Sequence, residues 1–175
     1  MKNLLHIFFS AALIAAAFQG KAQFTELTSN NAFDYGINLN GKVIFESEAG
    51  SLWSTDGTAA GTAAYATNVF VDPAGNLNLF AGKIYFTGID AVYGSELWVT
   101  DGTDAGTHIV KDIVSGTDGS APTDFYFFNN VIYFFASTAA EGKELWKSDG
   151  TDAGTVFVKD INPGINDGLD FESGY

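Results

Sequence analysis

The sequence predicts an all-β fold built from four-stranded antiparallel units of about 45 residues, and three observations carry that prediction. The first is a twelve-residue string that returns almost unchanged. ELWVTDGTDAGT at Glu96–Thr107 and ELWKSDGTDAGT at Glu144–Thr155 agree at ten of twelve positions, and SLWSTDGTAAGT at Ser51–Thr62 is a third copy. The second is the period. The motif tryptophans Trp53, Trp98 and Trp146 lie 45 and 48 residues apart, a spacing that suits either a four-stranded sheet or a pair of helices. The third decides between them. The apolar runs are four to six residues long, rich in Val, Ile, Phe, Tyr and Thr, and bounded by Gly, Asn and Asp clusters. Such runs fit pleated, half-buried strands rather than helices.

Taken in order, the chain opens with Lys2 and an apolar run from Leu4 to Phe18, broken only by His6 and Ser10, followed by QGKAQ. A basic start, an apolar stretch and a small-x-small site at Gly20 and Ala22 predict a secretory signal peptide over residues 1–22, cut between Ala22 and Gln23. The run is shorter than the ~20 residues of a membrane-spanning helix. It also lacks the polar face of a buried amphipathic helix. Residues 23–175 then form the repeat region, with units at about 41–75, 76–123 and 124–175.

In the middle unit the expected strands are Asn76–Phe80, Lys83–Thr87, Ser95–Thr100 and Thr107–Ile113. In the last they are Asp124–Phe128, Val131–Ala136, Lys143–Ser148 and Thr155–Ile161. Two residues, Ala81-Gly82 or Asn129-Asn130, separate the first two runs, the length of a tight hairpin whose turn needs positive φ. GKVIFES at Gly41–Ser47 is the matching run of the first unit, which departs later, where TAAYATNVFVD replaces the VKDI segment. Four short strands in about 45 residues is the size of a β-propeller blade. The expectation is a partial β-propeller of about three blades, incomplete at the C-terminus. Since closed propellers have about four to eight blades, either the sequence is a fragment or the blades complete themselves by oligomerising.

The string itself reads as a structural hairpin. Asp101 and Asp149 are placed to accept backbone N–H groups in an Asx turn, and Asp56 is the matching motif residue of the first copy. Gly102, Gly106, Gly150 and Gly154 are expected to take left-handed conformations, and Gly57 belongs to the same structural motif in the first copy. Trp53, Trp98 and Trp146 supply apolar area for packing between sheets, roughly 4–6 kcal/mol each before entropy. The competing reading is a calcium site made from Asp101, Asp104, Asp149 and Asp152. Against it, Thr103 and Thr151 stand where a calcium loop places its second ligand, and Ala59 replaces the second aspartate of the first copy. No cofactor is expected beyond that calcium alternative.

Composition narrows the partners. All 21 acidic residues follow Gln23, whereas two of eight lysines, Lys2 and Lys21, precede it, leaving a net charge of −15. Nucleic acid and anionic membrane surfaces are therefore unexpected partners. There is no cysteine and no arginine, and His108 is the one histidine after the leader. Zinc chemistry lacks ligands, and a Ser-His-Asp arrangement would rest on His108, which Ala63 and Val156 replace in the other copies.

The string resembles the bacterial ELWxxDGT repeat family, through Glu96-Leu97-Trp98 with Asp101-Gly102-Thr103 and Glu144-Leu145-Trp146 with Asp149-Gly150-Thr151. The family pattern continues as A-G-T, V-K-D-I and N-P-G, and AGTVFVKDINPG at Ala153–Gly164 follows it. The resemblance spans roughly residues 41–164, with Ser51 in place of glutamate in the first copy. It implies an exported or cell-surface repeat protein, commonly of the Bacteroidetes group, and no established activity or ligand. No C-terminal sorting domain of the kind such proteins often carry is visible. The hairpin also loosely resembles the Asp-box turn of sialidase propellers, but those enzymes grip their substrate with arginines.

The sequence thus predicts a non-catalytic, exported scaffold for display, adhesion or recognition of a protein or glycan. The alternative is the propeller part of a secreted carbohydrate-active hydrolase whose catalytic residues lie elsewhere. Tyr85, Tyr93, Tyr126 and Tyr133 are candidates for an aromatic binding platform, with core packing as the competing role. Further repeats of the same chain are expected to complete the fold.

Overall fold

A computed structural model describes residues 36–47, 49–73 and 76–161, and the signal peptide at 1–22 and the N-P-G segment at 162–164 lie outside the described residues. Short β-rich runs separated by two-residue turns can satisfy their backbone only by pairing with immediate neighbours. The chain does so three times. Strands β1 (Gly36–Leu39), β2 (Lys42–Glu46), β3 (Leu52–Thr55) and β4 (Ala63–Ala64) pair in that order as the first antiparallel sheet. After β5 (Phe70–Val71), the second sheet contains β6 (Asn78–Phe80), β7 (Lys83–Asp90), β8 (Gly94–Thr100) and β9 (His108–Lys111). The third runs β10 (Thr123–Phe128), β11 (Val131–Thr138), β12 (Gly142–Ser148) and β13 (Val156–Lys159). No helix occurs among the described residues, and the three sheets do not close on themselves.

The hairpin turns have the required chirality. Both central residues have positive φ at Asn40-Gly41 (53° and 79°), Ala81-Gly82 (49° and 75°) and Asn129-Asn130 (50° and 59°). This is the geometry that matches strand twist in a two-residue hairpin.

Two features depart from the expected strand plan. The first sheet begins at Gly36, ahead of the Gly41 boundary read from the sequence. The divergent segment of the first unit is also split: β4 keeps two residues in the first sheet, whereas β5 pairs with β7 of the second. Val71 N donates to Gly50 O and Asp72 N to Thr87 O, each at 2.8 Å. The connection is thereby stitched to both sheets. A similar stitch joins the second and third sheets, where Ser120 N and Ala121 N donate to Ser95 O at 2.9 Å and Ser137 N to Ser120 O at 2.8 Å.

The sheets stack face to face. Leu39, Ile44, Leu52 and Tyr65 from the first meet Ile84, Phe86 and Trp98 from the second. On its other face the second sheet offers Tyr85, Leu97, Val99 and Val110 to Ile132, Phe134 and Ala136 of the third. Period-two alternation puts Ile84 and Phe86 on one face of β7 and Tyr85 on the other. That explains why both faces of the middle sheet are apolar.

Candidate functional site

The repeated string lies where the third strand of each sheet hands over to the fourth, and its polar groups bond chiefly to one another. In the middle unit Asp101 Oδ1 accepts from Thr103 N at 3.0 Å and Thr103 Oγ1 at 2.7 Å. Thr103 Oγ1 accepts from Gly106 N at 3.0 Å, and Thr107 Oγ1 donates to Thr103 O at 2.6 Å. The Thr107 proton is thereby engaged, so Thr100 is the donor in the 2.7 Å contact between the two hydroxyls. Thr100 Oγ1 also accepts from Gly102 N at 3.0 Å. The same six bonds recur around Asp56, Thr58 and Thr62. They recur again around Asp149, Thr151 and Thr155, with Ser148 in the place of Thr100. The Asp56 and Asp149 carboxyls are held below the usual carboxylate range, first by the threonine hydroxyl and then by its backbone N–H.

The glycines divide into two kinds. Gly57, Gly102 and Gly150 are left-handed, with φ of 88°, 89° and 88°. Gly106 and Gly154 are not among the positive-φ residues, contrary to the expectation for them. Steric contact is the reason for glycine there: a Cβ on either would stand 2.0 Å from the carboxylate of Asp101 or Asp149.

The glutamate that opens the string has a role that composition alone does not reveal. Glu96 is fully buried; Oε1 accepts from Val114 N at 2.8 Å and Oε2 from Ser120 Oγ at 2.5 Å. It ties the end of its own unit and the following connection to the start of β8. Burial pushes its carboxyl up to about 7, with the Ser120 and Val114 hydrogen bonds opposing the rise. Glu144 is buried likewise and accepts from Ile161 N at 2.7 Å. In the first unit Ser51 stands at this position and forms a β-bridge with Phe70 of the connection.

The second aspartate of the string reaches back to the preceding unit. Asp104 Oδ1 accepts from Ala66 N at 2.5 Å, and Asp152 Oδ1 pairs with Lys111 Nζ at 2.8 Å. Ala66 and Lys111 occupy the same place in their repeats, four residues after Thr62 and Thr107. The four calcium candidates are thus drawn apart: Asp101 and Asp149 into their own turns, Asp104 and Asp152 onto neighbouring units. Among the described residues no group of three or more His, Cys, Asp or Glu side chains could hold a metal ion.

The tyrosines do not form one platform. Tyr85 is buried between the second and third sheets, and Tyr93 packs against the first core. Tyr126 and Tyr133 are cross-strand partners on the third sheet, with Tyr126 exposed and Tyr133 half-buried. His108 is exposed on β9. Trp98 is buried between the first two sheets; Trp146 meets Phe157 edge-on at 5.7 Å, and Trp53 stacks on Phe45 at 6.4 Å. A polar cavity of about 440 Å³ lies between β6 and β10, lined by Asn78, Pro122, Asp124, Phe125 and Lys143. Lys143 and Asp124 form a 3.6 Å ion pair on its wall.

These features define a class: an all-β protein of stacked antiparallel sheets, each closed by the same self-satisfied Asp-Gly-Thr turn. No protein-family model and no curated protein matches the chain. Among solved structures it is similar to the computationally designed Ika8 protein, at 12% identity and a TM-score of 0.42, over 80% of this chain and 40% of the designed one.

Proposed function

We propose that the chain is an exported, non-catalytic repeat scaffold of β-propeller type, serving surface display, adhesion or recognition of a protein or glycan. The observation that carries this is the engagement of the motif: in all three copies its first aspartate, its hydroxyl side chains and its glycines are joined by the same six bonds. Repetition of one turn-holding geometry in every unit supports a structural role for these residues. The resemblance to ELWxxDGT repeats and the signal-like leader support the exported location.

The test is retention of the purified chain on glycan and host-protein arrays, combined with an assay for turnover of every retained ligand. Retention with no product supports the scaffold. Cleavage of a retained glycan would replace it with the hydrolase alternative. Calorimetry with calcium addresses the remaining cofactor question, and the expected result is no heat and no change in melting temperature.

A further inference from the structure

We infer that the chain associates head to tail with a second copy of itself, the outward face of its first sheet seating on the outward face of its third. The two internal junctions define what mates with what. Each uses one face carrying the motif tryptophan (Ile84, Phe86 and Trp98 in the second sheet) and one receiving face (Tyr85, Leu97 and Val110 in the same sheet). The repeat alignment places Val43, Phe45 and Trp53 of the first sheet on the tryptophan-bearing face. It places Phe128, Tyr133, Leu145, Lys147, Val158 and Ile161 of the third sheet on the receiving face, with Lys147 in the place of Val99.

Their exposure matches an interface lacking its partner. Val110 is 5% exposed where the third sheet covers it, whereas its counterpart Val158 is 41% exposed. Phe80 stacks on Phe127 across the junction at 4.6 Å, whereas its counterpart Phe128 is 55% exposed. At the other end Phe45 and Trp53 are half-buried, whereas Phe86 and Trp98 in the same places are buried. Among the described residues the two outward faces thus carry one copy of each half of an interface that is formed twice within the chain, and a second copy of the chain carries both complementary halves. Contact between two unlike faces is heterologous and leaves one face of each kind open at the ends. The junction differs from the internal ones at Lys147, which stands where Val99 is buried in the second sheet, and at its rim. Ala59 occupies the place from which Asp152 reaches Lys111, so Lys159, the counterpart of Lys111, finds no carboxylate at that position of the incoming copy.

Sedimentation velocity over a concentration series tests this, with Val158→Lys to block the receiving face and Phe45→Asp to block the other. Ala64→Glu, at an exposed site paired with Trp53, repeats the second block without touching the core, and circular dichroism checks that each variant folds. The wild type is expected to associate with rising concentration and each variant to stay monomeric. An equimolar mixture of the two kinds of variant should restore a 1:1 dimer, because each retains the face the other lacks. Ala59→Asp should tighten wild-type association up to about fivefold in low salt, the range of an exposed ion pair. A wild type monomeric at every concentration, as when residues 162–175 of the same chain cover the third sheet, would overturn the inference. So would a mixture that stays monomeric, or association that survives Val158→Lys.

Discussion

The Asp101 carboxylate lies over Gly106 so closely that a Cβ on that glycine would stand 2.0 Å from it. The Asp56–Gly61 and Asp149–Gly154 pairs repeat the contact. The two repeated letters of each turn are therefore one device: the aspartate needs the vacant side of the glycine to reach the threonine N–H between them.

Gly106→Ala is expected to destabilise the protein by about 1–3 kcal/mol, the usual cost of forcing atoms into a filled site. Asp101→Ala removes the obstruction along with the two hydrogen bonds from Thr103. The double variant should therefore cost less than the sum of the singles in urea unfolding. Strict additivity would show that the carboxylate is not what excludes the methyl group.

The strands and their turns were legible because their causes are local. The short apolar, β-branched and aromatic run within Lys83–Thr87 and a two-residue Asn129-Asn130 turn need no knowledge of distant residues. The parts that were not legible depend on partners far along the chain. Asp104 bonds Ala66 across 38 residues, and Glu96 bonds Val114 and Ser120 across 18 and 24. A spacing rule within one unit says nothing about which unit stands beside it, and a glutamate in an acidic chain reads as surface. The crossing of β5 into the second sheet was hidden for a related reason. Two residues bonded on both sides have no periodicity of their own. The one local signal for the glutamate was its place as first letter of the string in both full copies, with Ser51 in the divergent one.

Glu96 gives the protein a specific pH dependence. Its carboxyl titrates near 7 in the folded state against 4.5 as the ordinary value. Below pH 4.5 it is protonated in both states, and its contribution to stability is complete. Between 4.5 and 7 the unfolded chain loses the proton while the folded chain keeps it, so stability falls as pH rises and levels off above 7. The loss is on the order of 3 kcal/mol. Glu96→Gln should remove this slope, and the difference between the two unfolding free energies against pH is the measurement. Asp56 and Asp149 act in the opposite sense, losing their stabilisation as pH falls below the ordinary aspartate value of 3.8, and they cancel in that difference.

The two back-reaching aspartates should differ in worth although they occupy the same letter of the motif. Asp104→Ala strips the acceptor from the backbone N–H of buried Ala66, a loss of about 1–3 kcal/mol. Asp152→Ala breaks an ion pair whose aspartate is 76% exposed, worth at most about 1 kcal/mol. The smaller effect should vanish in 1 M NaCl and the larger one persist. Equal and equally salt-sensitive losses would mean that both contacts are ordinary surface pairs.

The hydroxyl relay beneath the turn gives the final prediction. Thr100 is fully buried, donates to Thr107 Oγ1 and accepts from Gly102 N. Thr100→Val keeps the shape but leaves that part-buried N–H without its acceptor, at a cost of about 1–3 kcal/mol. Thr100→Ser keeps both hydrogen bonds and loses one methyl group, about 0.8 kcal/mol. The third unit already carries that chemistry, since Ser148 makes the same bonds to Thr155 and Gly150. Thermal unfolding should therefore rank serine well above valine at position 100. The reverse order would show that packing of the threonine methyl, rather than the relay, holds the turn to β8.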